Sequence, residues 1–166
     1  ESCKICNKKG YENNHNCQEC VSNYNFINEG GIENNCYQIC EHFYFDSSGY
    51  HCTSSSECPE GQKYIKDGNR CIDNCTNDNI YQVEYNGICY ETCPNDTHLT
   101  EDNNYLCQLE PEGYYLQDNI YEKCYSSCKT CNGEGNDNNH NCINCISDFI
   151  KINEIGKEKN CYKKCD

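Results

Sequence analysis

Cysteine constrains this chain more than any other residue type, because 20 of its 166 residues are cysteines. Such a density is typical of extracellular disulfide scaffolds, since cytosolic reductants would keep so many thiols reduced. Little apolar material remains for a core, as Trp and Met are absent and the mean hydropathy is −1.01. We therefore expect a secreted or cell-surface protein with a small disulfide-rich fold, a tandem array of short β-hairpin knots with little regular secondary structure.

The charge balance narrows the range of partners. The chain has 27 Asp and Glu against 13 Lys and Arg, a net charge of −14, which argues against nucleic acid. No apolar run is long enough for a membrane span or a signal peptide, so such signals are expected elsewhere. Because the chain begins at Glu1, contains no Met and stops at Cys165-Asp166 inside a motif, we interpret it as a segment of a longer protein.

An internal duplication organises the chain. Residues 2–41 align without a gap on residues 127–166 at an offset of 125, with 22 of 40 positions identical and all six cysteines coincident. A fixed period of this kind is typical of repeat arrays, and 14 cysteines per period allow pairing within each unit. We predict one full period at 1–126, with sub-modules at about 1–35, 36–70, 71–106 and 107–126, and the start of the next repeat at 127–166.

Short hairpins are the expected local structure. A Cys-x3-Cys pair occurs five times, each time after a strand-like run and a turn signal. In the clearest case residues 80–85 and 88–90 flank Asn86-Gly87, which predicts a two-residue hairpin. Residues 64–68 and 114–119 carry weaker signals of the same kind. No amphipathic helix of useful length is predicted.

One run resembles a known repeat. Residues 113–116 read Gly-Tyr-Tyr-Leu, residues 124–131 read Cys-Tyr-Ser-Ser-Cys-Lys-Thr-Cys, and residues 142–145 read Cys-Ile-Asn-Cys. This run resembles the furin-like, growth-factor-receptor-type cysteine-rich repeat, which also occurs in surface proteins of ciliates, diplomonads and amoebae. The lack of Ala, the single Arg70 and the abundance of Asn, Lys, Ile and Tyr favour a protist source. The resemblance implies an array of small knots without catalytic activity. The looser spacing from Cys75 to Cys107 leaves the pairing there open.

The same resemblance implies a disulfide scheme that the sequence alone cannot fix. It implies crossed pairs, first to third and second to fourth in each group of four. The implied bridges are Cys3–Cys17, Cys6–Cys20, Cys36–Cys52, Cys40–Cys58, Cys71–Cys89, Cys75–Cys93, Cys107–Cys124, Cys128–Cys142 and Cys131–Cys145. Cys161 and Cys165 are left unpaired, with partners expected in a continuation of the chain. A Cys20–Cys36 bridge, or a bridged Cys161, would contradict this scheme.

Metal sites are the first chemical alternative. The Cys-x2-Cys-x10-Cys-x2-Cys element at residues 3–20 could supply four thiolates to zinc, but the twelve cysteines with other spacings favour disulfides. Calcium could use Glu134, Asn136 and Asp137, or the pair Glu101-Asp102, although neither set has EF-hand spacing. We therefore expect no metal and no cofactor.

Catalysis is the second alternative. A Cys/His nucleophilic pair is formally open to the five histidines, but no known catalytic motif is present, so we expect no enzyme. These histidines are His15, His42, His51, His98 and His140. Two glycosylation sequons occur, at Asn74 and Asn95, of which Asn95 is favoured because a folding cysteine follows Asn74.

The expected function is structural. We expect part of an extracellular stalk, surface coat or filament, whose partners are neighbouring repeats and like chains. The alternative is an adhesin or a lectin-like ectodomain that binds cell-surface glycans through exposed tyrosines. The tyrosines are otherwise expected to shield the sulfurs.

Overall fold

The computed structural model describes residues 2–11, 14–27, 34–53, 57–152, 154–157 and 159–165, which include all twenty cysteines. The chain divides into two compact units, residues 1–74 and 75–166. The described residues contain many short strands, and their only helices are the 3₁₀ turns Lys66–Gly68 and Cys75–Asn77. The expected disulfide-rich, mostly non-helical fold is confirmed, whereas the repeat boundary at 126/127 stays a prediction. No described helix is long and apolar enough to cross a membrane.

The first unit is a series of antiparallel hairpins. Its strands are β1 (Cys3–Cys6), β2 (Cys17–Cys20), β3 (Tyr24–Phe26), β4 (Cys36–Gln38), β5 (Phe43–Asp46), β6 (Gly49–Cys52), β7 (Lys63–Ile65) and β8 (Arg70–Ile72). The pairs β1–β2, β3–β4, β5–β6 and β7–β8 are each formed by strands consecutive in sequence. A parallel contact between β5 and β8 joins the last two hairpins in the order β7-β8-β5-β6.

The second unit repeats this plan. Its strands are β9 (Val83–Tyr85), β10 (Ile88–Tyr90), β11 (His98–Thr100), β12 (Asn103–Gln108), β13 (Tyr114–Gln117), β14 (Ile120–Lys123), β15 (Cys128–Cys131), β16 (Cys142–Cys145), β17 (Phe149–Lys151) and β18 (Cys161–Lys163). The hairpins β9–β10, β11–β12 and β13–β14 lie in the order β13-β14-β11-β12-β9-β10, and β15–β16 and β17–β18 form separate pairs.

The predicted hairpin around Asn86-Gly87 is confirmed. Ile88 pairs with Tyr85, and Asn86 and Gly87 have φ values of 51° and 77°. Positive φ at both central residues matches the twist of the flanking strands, and Asn-Gly reaches it with little strain. The strand begins only at Val83, because the Asp78 carboxylate accepts the N–H groups of residues 80 and 81 in a turn.

The two weaker hairpin signals also correspond to hairpins. The β13–β14 turn has no glycine, and Asp118 and Asn119 take φ values of 48° and 68°. Short polar side chains tolerate this left-handed region better than other L-residues. The β7–β8 connection uses the 3₁₀ turn Lys66–Gly68, followed by Asn69 at φ 53°.

The disulfide connectivity differs from the crossed scheme. The expected Cys3–Cys17 and Cys128–Cys142 bridges are present, and the other seven expected pairings are wrong. Cys6, expected to be bridged, is free, and Cys161, expected to be unpaired, is bridged; Cys165 is unpaired in the structure. The remaining bridges are Cys20–Cys36, Cys40–Cys52, Cys58–Cys71, Cys75–Cys89, Cys93–Cys107, Cys124–Cys131 and Cys145–Cys161.

The physical reason lies in the hairpins. From Cys40 to Cys107 each bridge joins consecutive cysteines 12 to 14 residues apart, with Cα–Cα distances of 5.3 to 5.7 Å. A hairpin of this length brings its own two ends within disulfide reach. Three of the five Cys-x3-Cys pairs are therefore junctions, because the first cysteine closes one bridge and the second opens the next; they begin at Cys36, Cys71 and Cys89. Crossed pairing would instead have tied each hairpin to the next one.

Half-cystines dominate the buried interior. In the second unit Cys128, Cys131, Cys142 and Cys161 form one buried cluster with Tyr115. Two partly buried cysteines, Cys124 and Cys145, and two partly buried aromatic residues, Tyr125 and Phe149, pack against it. The expectation that aromatic side chains shield the sulfurs therefore agrees with the packing of this cluster.

Candidate functional site

The second unit contains a buried hydrogen-bonded cluster, here called the second clasp: Ser127, His140, Asn160, Cys161 and Tyr162. His140 Nδ1 accepts the backbone N–H of Cys161 at 3.1 Å, and the Ser127 hydroxyl lies 3.1 Å from the same nitrogen. The Asn160 side chain, which is 1% exposed, accepts the His140 N–H at 2.8 Å and donates to the Tyr162 hydroxyl at 3.1 Å. Because a backbone N–H can only donate, Nδ1 of His140 is the acceptor in this hydrogen bond, and the other ring nitrogen, Nε2, is the one that carries the proton in this arrangement.

The first unit contains the same cluster, the first clasp: Ser2, His15, Asn35, Cys36 and Tyr37. His15 Nδ1 accepts the Cys36 N–H at 3.0 Å and lies 3.3 Å from the Ser2 hydroxyl. Asn35 accepts the His15 N–H at 2.7 Å and donates to the Tyr37 hydroxyl at 3.2 Å. Every position is the 125-residue counterpart of a residue in the second clasp, so the duplication preserves a side-chain network as well as a cysteine rhythm.

Backbone geometry fixes each histidine. A Cβ atom added to Gly10 or Gly135 would collide with the carbonyl oxygen of His15 or His140 respectively. Glycine is therefore required where the two backbone segments meet. The residue after each histidine is an asparagine in the left-handed region; for Asn141 φ is 57°. The duplicated run 138–142 is thus a tight turn that aims the ring inward. In the first copy of this run, Asn13 lies outside the described residues.

Two disulfides lie beside each clasp. In the second unit they are Cys128–Cys142 and Cys145–Cys161, and their first-unit counterparts are Cys3–Cys17 and Cys20–Cys36. The hairpins that carry them have equivalent registers, with Cys3 opposite Cys20 and Cys128 opposite Cys145. In each unit the histidine of one hairpin accepts the buried backbone N–H of Cys36 or Cys161, which lies in the following hairpin. The clasp therefore joins the two hairpins.

The zinc alternative does not fit these residues. The sulfurs of Cys3, Cys17 and Cys36 lie within 4.8 Å of one another, but all three belong to disulfides. A disulfide sulfur is not the thiolate that zinc requires. Of the four cysteines considered as zinc ligands, Cys20 is bridged as well, and Cys6 is the only thiol.

A serine, a histidine and an aspartate meet at the β5–β6 turn, a set that the sequence analysis did not find. The Ser48 hydroxyl donates to Asp46 Oδ1 at 2.6 Å, and His51 Nε2 lies 2.8 Å from Ser48 Oγ and 2.9 Å from Asp46 Oδ1. A hydrolytic triad uses opposite ring nitrogens for the serine and the carboxylate. Here both groups contact Nε2, so the carboxylate cannot orient the ring toward the serine.

The pKa of Asp46 in this cluster reflects the hydrogen bonds of the turn. Hydrogen bonds from the Ser48 side chain and backbone, with a smaller effect of His51, lower the pKa of Asp46 to about 2. Asp46 and Ser48 are exposed. The arrangement therefore closes the hairpin turn and provides no activated nucleophile.

An aromatic cleft of about 490 Å³ lies in the first unit, with His15, Tyr37, Gln38, Tyr50 and His51 in its lining. The rings of Tyr37 and Tyr50 stack at 4.6 Å with an interplanar angle of 20°. Burial, and to a smaller extent Tyr37, raises the pKa of Tyr50 to about 12. The Tyr50 hydroxyl donates to the Gln38 carbonyl oxygen at 2.5 Å.

The two other histidines have packing roles. His42 is 8% exposed and its ring lies 4.7 Å from that of Tyr64, while Nδ1 has no hydrogen-bond partner among the described residues. His98 packs edge-on against Tyr121 at 5.6 Å. A Cys/His nucleophile would have to use Cys6 or Cys165, because the other 18 cysteines are oxidised.

The residues considered as calcium ligands at positions 134–137 have protein partners. Asn136 Oδ1 accepts the N–H groups of residues 138 and 139, and Asp137 accepts the Tyr125 hydroxyl at 2.8 Å. That hydrogen bond to Asp137 is the largest cause of the raised pKa of Tyr125. The backbone oxygen of Glu134 accepts the Asn141 side chain. The loop is thus closed by its own hydrogen bonds.

The acidic pair of the second unit has a cationic partner. Lys123 Nζ lies 3.0 Å from Asp102, the Tyr114 hydroxyl donates to the same carboxylate at 2.9 Å, and the Lys123 N–H reaches Glu101 at 3.4 Å. The hydrogen bond from Lys123, followed by that from Tyr114, lowers the pKa of Asp102 to about 2. Asp102 is therefore paired with a cation, whereas Glu101 accepts a backbone N–H.

Both glycosylation candidates are exposed. Asn74 precedes the buried Cys75. Asn95 lies in a turn at φ 53°, and the hydroxyl of the buried Thr97 donates to the Pro94 carbonyl at 2.5 Å. Sugar at either site remains a prediction.

Comparison with known proteins adds a distant similarity. The chain is 26% identical over 155 residues to Furin-like protease 2 of Drosophila melanogaster, covering 89% of this chain and 7% of that protein. It is 28% identical over 98 residues to Proprotein convertase subtilisin/kexin type 5 of Rattus norvegicus, covering 59% and 4%. The chain thus spans less than a tenth of either protein. No family model and no solved structure matches.

The similarity and the disulfides agree. Many bridges and weak similarity to furin-like proteases fit a furin-like cysteine-rich repeat. They also favour an extracellular or secreted domain, since nine disulfides need an oxidising compartment.

Most of each clasp is not predicted from the sequence. The residues alone give His15 and His140 only a formal place in a Cys/His pair, and they give no role to Asn35 or Asn160. The signal was present, because all four side-chain positions of the clasp are identical in the two copies. Treating invariant polar positions of the duplication as candidate partners would have found the network.

Proposed function

We propose that this chain is a structural component of an extracellular stalk, surface coat or filament built from tandem disulfide-rich repeats. The observation that carries the proposal is the duplicated clasp: the same four side chains and two disulfides recur 125 residues apart with hydrogen-bond lengths that agree within 0.2 Å. Both copies keep the same buried polar network. This is what we expect of a protein built from successive repeats, in which each copy folds in the same way.

The chemistry on the surface supports a non-catalytic role. Eighteen cysteines are oxidised, and the serine, histidine and aspartate at the β5–β6 turn lack the geometry of a triad. The net charge of −14 keeps such a polar surface soluble and disfavours nucleic acid as a partner. The partners proposed are neighbouring repeats and like chains.

Labelling intact cells tests the proposal. An antibody raised against the 166-residue chain should decorate a coat, stalk or filament on non-permeabilised cells, and immunogold label should follow that structure along its length. Deleting the gene should remove or thin the structure. Label confined to the cell interior, or an unchanged coat after deletion, would refute the structural role.

A second candidate is an adhesin or lectin-like ectodomain, and the aromatic cleft of the first unit favours it. Stacked Tyr37 and Tyr50, with His51 and Gln38 beside them, offer a ring face next to hydrogen-bonding groups. A glycan array tests it. Binding that Tyr50→Ala abolishes, while Tyr105→Ala at an exposed site of the other unit preserves it, would favour adhesion. No binding to any glycan would leave the structural proposal in place.

A further inference from the structure

Cys6 has a counterpart whose bonding is known. At an offset of 125, Cys6 corresponds to Cys131, and the two hairpins share one register, with Cys6 opposite Cys17 and Cys131 opposite Cys142. Cys131 is bridged to Cys124 with a Cα–Cα distance of 5.7 Å and is 7% exposed. Cys6 is an exposed free thiol. The two copies therefore differ in whether a Cys124-like segment covers this edge.

Cys165 is likewise a free cysteine whose counterpart in the other copy is bridged. Its counterpart is Cys40, which is bridged to Cys52 at the end of β6. Cys165 itself is exposed and free. The strand pair that leads to each cysteine is also conserved, since Tyr24 pairs with Gln38 as Phe149 pairs with Lys163.

We propose that Cys6 and Cys165 are disulfide sites that each take a cysteine from a further repeat unit of the same kind. Cys6 takes a cysteine placed as Cys124 is, at the end of a β14-like strand, and Cys165 takes one placed as Cys52 is, at the end of a β6-like strand. The chemistry is the same whether that unit belongs to the same polypeptide or to a second copy of it. The inference goes beyond the proposed function, since it holds for a stalk and for an adhesin.

Contacts around Cys124 in the second copy explain why the Cys6 site should select a Cys-Tyr segment. Tyr125, next to Cys124, stacks on His140 with centroids 4.0 Å apart and an angle of 18°, and its carbonyl accepts the Cys128 N–H at 2.8 Å. In the first copy His15 holds the position of His140 but is more exposed. A Cys-Tyr segment can therefore seat its ring on His15 while its thiol reaches Cys6, which a cysteine without the tyrosine cannot do.

The bond forms by thiol–disulfide exchange. The Cys6 thiolate attacks one sulfur of oxidised glutathione, forms a mixed disulfide and releases one glutathione thiolate. The thiolate of the incoming cysteine then attacks the Cys6 sulfur and releases the second glutathione. Two thiols lose two protons and two electrons overall, and one oxidised glutathione becomes two reduced glutathiones. Cys165 reacts in the same way with its own partner.

Two peptides from this chain test the pairing. The folded 166-residue protein is incubated in a glutathione redox buffer with a peptide of residues 120–126, which contains Cys124, and with one of residues 49–53, which contains Cys52. Peptide mapping should place the first on Cys6 and the second on Cys165, each with a preference of about fivefold or more over the other site. A Tyr125→Ala version of the first peptide should lose its preference.

Protein variants complete the test. Cys6→Ser should abolish capture of the first peptide alone, and Cys165→Ser should abolish capture of the second alone. Equal capture of both peptides at both sites, no capture of either, or a Cys6–Cys165 bond within one chain would overturn the proposal.

Protein isolated from the cells that make it shows whether the partner cysteine belongs to the same polypeptide or to a second copy. The material is alkylated without reduction and separated on a non-reducing gel. A protein with unlabelled Cys6 and Cys165 that migrates as a monomer identifies the same polypeptide as the source, whereas reducible multimers identify a second copy. Alkylation of either cysteine by the reagent would overturn the proposal for that site.

Discussion

The side chain of Asn160 is the most informative target in the second clasp, and Asn160→Ala is the sharpest perturbation of it. The amide accepts the His140 N–H at 2.8 Å and donates to the Asn138 carbonyl and the Tyr162 hydroxyl, each at 3.1 Å. Alanine removes all three hydrogen bonds. No water can easily replace the first, because Asn160 and His140 are 1% and 5% exposed.

The expected cost follows from these bonds. A buried donor left without an acceptor costs about 1–3 kcal/mol, and each of the two partly buried bonds contributes about 0.5–1.5 kcal/mol. We expect Asn160→Ala to lower the free energy of opening of this region by about 3 kcal/mol, which corresponds to about a hundredfold in its equilibrium constant.

Amide hydrogen exchange is the suitable assay, since it reports local opening while every disulfide stays intact. The amides of His140, Cys142 and Cys161 should exchange about a hundredfold faster in the variant, because each donates within or beside the clasp. Asn138→Ala is the matched control. It removes an exposed asparagine side chain and keeps the backbone carbonyl that Asn160 contacts.

Two outcomes would refute this reasoning. One is a change below about threefold at the His140 and Cys161 amides, which would mean that the network contributes little. The other is an equal change in Asn138→Ala. The duplication supplies an independent check, since Asn35→Ala should have the same effect on the amides of His15 and Cys36.

Three further predictions concern protonation. Nitrogen-15 NMR of the ring of His140 should show a proton on Nε2 and none on Nδ1; the opposite tautomer would contradict the clasp. Lys123→Met should raise the pKa of Asp102 from about 2 toward 3.8, whereas Lys129→Met, which removes a different ion pair, should leave it unchanged. The stability that the Asp102 carboxylate contributes is present above pH 4 and is lost as pH falls toward 2. The hydrogen bond to Glu122 raises the pKa of the Tyr115 phenol to about 12. The phenol should therefore stabilise the fold below pH 10 and lose this effect as pH rises toward 12. In alkaline unfolding curves, Tyr115→Phe should remove this dependence on pH.

The hairpins could be predicted from sequence because their signals are local. Asn86-Gly87 specifies a turn through the backbone freedom of two residues, and Asp118-Asn119 does so less strongly. No distant residue is needed to interpret either pair. The duplication was equally accessible, since an offset of 125 aligns two segments directly.

The connectivity could not be predicted, because every cysteine has several partners at similar distances along the chain. Cys71 could close the hairpin before it or open the one after it, and spacing alone does not distinguish these choices. The hairpin register decides, since β7–β8 places Cys71 opposite Tyr64 and within reach of Cys58. The clasp was missed for a related reason: Asn160 and His140 are 20 residues apart and meet only after two hairpins have formed.

Consecutive pairing has a physical consequence that crossed pairing would not have. Eight of the nine bridges close loops with sequence separations of 12 to 16, and each removes about 3 kcal/mol of loop entropy from the unfolded chain in the chain-entropy model. From Cys40 to Cys107 no bridge encloses another, so the stabilisation is local to each hairpin. Breaking Cys75–Cys89 should therefore loosen one hairpin and leave Cys93–Cys107 intact. A crossed scheme, with Cys75 joined to Cys93, would have coupled these two hairpins.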